Sequence, residues 1–150
     1  MELVVQALGA VGVIASFLFL ARQTRELATQ TKISNEASLA ELAVSGIERL
    51  HQVEQLIVER PWLHAYFYEN KACPRSRRRR GEVLTIARML ADTLDYGLMT
   101  AQKLRGRDAW YSWSSFSTHM ENSPVLRQLV RENPSWWPSL SHHWALAKKR

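Results

Sequence analysis

The chain has 150 residues, 46% of them hydrophobic, with 20 basic and 14 acidic side chains and a net charge of +6. That length suits one domain, and that apolar content is too high for a disordered chain. The lone cysteine, Cys73, excludes an intramolecular disulfide and fits a reducing cytoplasm, and no chemistry yet separates an enzyme from a binding protein.

The first predicted element is a membrane span. Residues 3 to 21 read LVVQALGAVGVIASFLFLA, nineteen residues without a charge and with only Gln6 and Ser16 clearly polar. As a helix this run covers roughly 28 Å, close to the hydrocarbon thickness of a bilayer, and a helix is required there because lipid offers the backbone no hydrogen-bond partner. A cleaved signal peptide is disfavoured by the Met-Glu start and by the bulky end Phe-Leu-Phe-Leu-Ala-Arg. Arg22, Arg25 and Lys32 follow the run whereas only Glu2 precedes it, so the positive-inside rule puts the N-terminus outside and the rest of the chain in the cytoplasm, as a single-pass protein of the cell membrane. Gln6, Gly9, Gly12 and Ser16 share one helical face, with the three small residues within about 60° of one another. Small residues let two helices approach closely, so this is a candidate self-association face and a homo-oligomer is expected.

Residues 22 to 36 are polar and lack Pro and Gly, which predicts a helical linker, and residues 37 to 150 form the predicted cytoplasmic helical domain. Its first helix carries Leu39, Leu42, Gly46, Leu50, Val53 and Ile57 on one stripe and ends near Arg60, before the helix-disfavouring Pro61. Pro61 can open a short helix bearing Trp62, Leu63, Tyr66 and Phe67. Lys71 to Gly81 is a loop by composition. Glu82 to Leu104 is the second amphipathic helix, with Val83, Ala87, Leu90, Leu94, Leu98, Ala101 and Leu104 in register, and it is expected to lie antiparallel to the first. Asp108 is a candidate N-cap for a helix whose Trp110, Trp113, Phe116 and Met120 share a face. Ser123-Pro124 starts another helix, Asn133-Pro134 ends it, and Leu140 to Ala147 forms the last. No segment alternates with period two, so the predicted fold is all-α, an N-terminal transmembrane helix followed by a small antiparallel helical bundle.

Three stretches, ERPWLHAYFYENK from Glu59, EVLTIARMLADTLDYGLM from Glu82 and SPVLRQLVRENPSWWP from Ser123, resemble a family of small bacterial proteins of uncharacterised function, many from actinomycetes. Its members pair one N-terminal hydrophobic helix with a helical domain, and the resemblance spans residues 20 to 140 or so. It implies topology and fold and transfers no catalytic residue. The five-arginine loop departs from the family's pattern.

That loop is the sharpest surface feature. Between Lys71 and Arg80 lie six basic residues and no acid, and without those six the other 14 basic residues balance the 14 acids, so the basicity is local and argues against a general DNA-coating role. Arg75, Arg77, Arg78, Arg79 and Arg80 form a candidate anion site for an acidic protein, nucleic acid or anionic lipid. If the membrane helix continued to residue 58, the loop would stand roughly 55 Å from the bilayer, several Debye lengths away, which disfavours lipid, whereas a bend near Ser34-Asn35 would fold the domain back and restore lipid contact.

Other chemistry is sparse. Glu48 and His51 form one Glu-x-x-His pair where a di-iron bundle needs two with further carboxylates. Asp92 and Asp95 are the nearest substitutes, and an ordinary exposed face with an Arg88–Asp92 pair is the simpler reading. Cys73-Pro74 matches a haem-regulatory signal over only two residues, and no fixed spacing joins His119, His142 and His143. P-loop, dinucleotide, serine-hydrolase and zinc-protease motifs are absent from the sequence, so no catalytic residue and no cofactor is expected. A ligand pocket among Trp110, Trp113, Trp136 and Trp137 is a further candidate. The expected function is a membrane-anchored, self-associating interaction or regulatory module; the alternatives are a ligand- or metal-binding bundle with enzymatic activity, and anion binding through the arginines.

Overall fold

The computed structural model describes the backbone of residues 2–104 and 107–147 and the side chains of residues 16–104 and 108–147. Among the described residues the chain is all-helical, without a strand. The elements are α1 (Glu2–Glu59), a 3₁₀ turn (Pro61–Leu63), α2 (His64–Tyr68), α3 (Arg77–Lys103), α4 (Arg107–Met120), α5 (Pro124–Glu132) and α6 (Pro138–Ala147).

Two compact units divide the chain, Met1–Ser38 and Leu39–Arg150. In the first, Phe17, Leu18, Phe19 and Leu20 are helical and between 55% and 68% exposed. Residues 22 to 36, the expected linker, are helical and exposed. Among the described residues no helix is long and apolar enough to cross a membrane. The expected span at residues 3 to 21 lies for the most part outside the described side chains, and so do Gln6, Gly9 and Gly12 of the expected pairing face; Ser16 is described, and exposed.

The second unit is a helical bundle built around α3, which packs against α4, α5 and α6. The stripe read from the sequence is its core: Val83, Ala87, Leu90, Leu94, Leu98 and Ala101 are all buried. Val53 and Ile57 of α1 are buried too. The Tyr96 hydroxyl donates to Leu42 O at 3.4 Å, while Trp62, just beyond α1, meets Arg79 at the other end of α3. The C-terminal part of α1 therefore runs antiparallel to α3. Small residues on both helices make room for α4, since its Trp113 indole lies against Gly97 and 3.3 Å from where a Cβ on Gly46 would sit.

Capping explains several boundaries. Ser123 is the N-cap of α5: its Oγ accepts from Leu126 N at 3.3 Å and donates to Tyr66 O at 2.8 Å, tying α5 to α2. Pro124 follows as the first helical residue, where its missing N–H costs nothing. Asn70, at φ 58°, turns the chain out of α2 in a left-handed conformation that asparagine tolerates.

Two expected boundaries are corrected. Arg77 to Arg80 do not belong to a loop; they form the first turn of α3, closed by Arg80 N donating to Ser76 O at 2.8 Å. Arginine is a good helix former, so the backbone has no local reason to stay open once Ser76 adopts the extended N-cap conformation. Asp108 is not an N-cap, because α4 starts at Arg107 and Asp108 lies in its first turn, where its charge suits the positive end of the helix.

Candidate functional site

The arginine turn faces two ways. Arg77, Arg78, Arg79 and Arg80 are all exposed, and Arg75 stays in the preceding loop, also exposed. Arg78 reaches Glu82 at 3.6 Å across one turn, with its own side chain 91% exposed, so this pair neutralises little. Arg79 lays its guanidinium over the Trp62 ring at 5.6 Å, and Trp62 in turn meets Tyr66 edge-on at 6.1 Å. Lys71 sits over the Tyr66 ring at 5.0 Å, which extends the alternation of cation and aromatic.

Arg80 points the other way. It lines a cleft of about 200 Å³ with Leu84 and Arg88 of the same helix, at spacings of four, so that two guanidiniums flank one leucine. The facing wall is α5, with Val125, Gln128, Leu129 and Glu132. Cys73, partly buried, lines it too, as does Trp136, over whose ring Arg88 lies at 5.3 Å. Gln128 Nε2 donates to Glu132 Oε1 at 2.8 Å, which orients the acid along α5. The cleft thus has an aliphatic floor, a cationic wall and an aromatic end. Arg127 and Arg131 line the neighbouring groove with Gln128 and Glu132.

No protein-family model, no curated protein and no solved structure matches this chain. What the site can do is therefore read from its own atoms.

The other candidates are not assembled into sites. Glu48 and His51 are both exposed, and among the described residues no group of three or more His, Cys, Asp or Glu side chains is placed to hold a metal. Asp92 and Asp95 are occupied in structure: Trp137 Nε1 donates to Asp92 Oδ1 at 2.6 Å and Leu140 N to Asp95 Oδ1 at 2.9 Å. Asp95, on α3, caps the start of α6. Burial raises the Asp95 pKa above its ordinary 3.8, opposed by the amides of Leu140 and Ser139 and reinforced by neighbouring Asp92. The expected Arg88–Asp92 pair gives way to Arg88 on Trp136 and Asp92 on Trp137, because the indole N–H, largely out of water, needs an acceptor.

The tryptophans are likewise dispersed. Trp113 packs into the glycine gap, Trp110 meets His143 edge-on at 6.1 Å, and Trp136 and Trp137 meet each other at 5.5 Å. His143 resembles half of a nucleophile–base pair, with Nε2 3.0 Å from Thr118 Oγ1. The polarity is wrong for catalysis. Thr118 spends its proton on Ser114 O at 2.8 Å, so its oxygen accepts from Nε2, which lies 3.1 Å from Ser114 O as well. A donating Nε2 cannot act as the base for that hydroxyl.

The cleft was not foreseen from sequence, although Arg80, Leu84 and Arg88 carry a helical spacing that would have joined them. Starting the helix at residue 82 separated Arg80 from its neighbours. Trp136 and Glu132 come from distant segments and left no local signal.

Proposed function

We propose that this chain is a membrane-tethered helical interaction module that pairs with a second copy of itself, with residues 3 to 21 as a single-pass anchor, the N-terminus outside and the bundle in the cytoplasm. The resemblance to the actinomycete-rich family belongs to the same reading. The anchor is supported by nineteen consecutive uncharged residues and by the basic Arg22, Arg25 and Lys32 that follow them.

The observation that carries the pairing is a second apolar face on the bundle segment of α1. Its first face is buried through Val53 and Ile57, whereas Val44, Ile47 and Val58 are 54%, 48% and 75% exposed. With Ala40 and His51, also exposed, they fall at residues 40, 44, 47, 51 and 58, intervals of four, three, four and seven. That is the spacing of a two-stranded coiled-coil seam over residues 40 to 51, which Glu54 interrupts before Val58. Two copies anchored in one membrane would meet in parallel.

Sedimentation of the full chain in neutral detergent tests this. A dimer is expected, and Val44→Glu with Ile47→Glu converts it to a monomer with unchanged helical circular dichroism. A wild-type chain that stays monomeric at every concentration overturns the pairing.

A further inference from the structure

The cleft between α3 and α5 shares no residue with the α1 stripe proposed for self-association, and its surroundings are electrostatically unusual. Four consecutive arginines occupy the first turn of α3, where the helix dipole already presents positive charge and no acid lies within that turn. Ser76 makes no side-chain cap there. This arrangement works against helix stability, and features that oppose the local rules of folding are where function is to be sought. Arg88, Arg127 and Arg131 add to the same side of the bundle, around the two grooves that share Gln128 and Glu132.

We propose that this surface docks an acidic peptide segment of a partner protein, which inserts one leucine-sized side chain into the cleft while its carboxylates meet Arg77, Arg80 and Arg88. The inference rests on the interaction-module reading and adds the chemistry of the partner. Charge complementarity sets the sign: Arg80 and Arg88 line the cleft against a single acid, Glu132, which keeps its charge beside Gln128, and Arg127 and Arg131 line the adjoining groove. Size fixes the anchor. About 200 Å³ is below the usual range for a cofactor or drug-sized ligand and suits a single side chain. The floor of Leu84, Val125 and Leu129 is aliphatic, which rewards an aliphatic group.

Nucleic acid fits less well. Single strands are held by stacking bases on open aromatic faces. Here Trp62 and Trp136 each already carry a guanidinium on one face, and the edge contact of Trp137 further crowds Trp136. A phosphate surface, in lipid or nucleic acid, would use the arginines but leave the aliphatic cleft unfilled.

The test uses the full chain in neutral detergent and fluorescence anisotropy of labelled probes. These are a short Asp/Glu peptide with one central leucine, the same peptide with alanine in its place, single-stranded oligouridylate, and the water-soluble lipid headgroup glycerophosphoserine. The leucine peptide is expected to bind about tenfold more tightly than the alanine peptide, the gain from burying one aliphatic side chain, and to weaken with salt. Arg80→Ser with Arg88→Ser lowers affinity for both peptides by about tenfold or more, as expected for two lost charge-assisted contacts. Gln128→Trp, an exposed position on the cleft lip, abolishes the preference for leucine while keeping the salt-sensitive remainder. Equal binding of the two peptides overturns the proposal, and so does oligouridylate or glycerophosphoserine binding more tightly than the leucine peptide. The outcome is separable from pairing. A dimer that shows no leucine preference refutes the cleft alone, and a monomer that shows one refutes the pairing alone.

Discussion

At the scale of single residues, the bundle is most sensitive where two helices meet through a missing side chain. The Trp113 indole occupies the space a Cβ on Gly97 would need, and Gly97 is buried in mid-helix. Alanine is ordinarily the better helix former by about 1 kcal/mol, but here it forces the indole out of a packed core, which costs about 1–3 kcal/mol. Gly97→Ala should therefore lower the melting temperature despite its propensity gain, whereas Gly81→Ala, with open space around it, should raise it. Thermal denaturation of the two variants separates the effects. Asp95 offers a pH test. Burial holds its folded pKa above 3.8, so ionisation is easier in the unfolded chain, and folding loses stability as pH rises from about 3.8 through the raised value. Asparagine keeps the capping oxygen without titrating. The stability of Asp95→Asn relative to wild type should thus rise across that window, while Asp95→Ala, which also cannot titrate but loses the cap of α6, should run parallel to it and about 1 kcal/mol lower. Urea melts at several pH values check both.

At the scale of elements, what the sequence disclosed depended on how local the cause was. Ser123-Pro124 and Pro61 marked their boundaries correctly because a cap and a proline act within one turn of themselves. The core stripe of α3 was legible for the same reason, its period being a property of adjacent residues. The cap on α6 was not legible, since Asp95 lies 45 residues away from the amide it accepts. The start of α3 was misread because a run of like charges signals a solvated loop, while arginine's helix propensity signals the opposite and the fold decides between them. That conflict makes a prediction. Arg77 sits at the positive end of the α3 dipole among like charges, and Arg77→Glu should stabilise the bundle by about 0.3–1 kcal/mol, an effect that shrinks in high salt. A loss of stability on this substitution would mean that the arginines support the fold, and would remove the reason for assigning them a partner.

At the scale of the whole molecule, the proposed pairing raises the question of how a modest apolar face would hold two copies together. Val44 and Ile47 are small anchors, and alanine at residue 40 adds little area, so the seam would be weak between chains free in solution. Confinement to one membrane raises the effective concentration of each copy for the other without adding a contact. Tethering and pairing should therefore be separable by mutation and unequal in effect. Charges in the middle of the 3–21 run cost about 2.5–3.5 kcal/mol each at the bilayer centre, so Val13→Asp with Ile14→Lys should release the chain from membranes washed in alkaline carbonate, where the wild type stays in the pellet. In cells, proximity labelling between two tagged copies should then fall in this released variant although Val44 and Ile47 are intact. Val44→Glu with Ile47→Glu should lose the same signal while remaining in the pellet. If the wild type itself washes off the membrane, the anchor reading fails; if the released variant keeps its full signal, the seam is strong on its own and tethering serves only to place the bundle at the membrane surface.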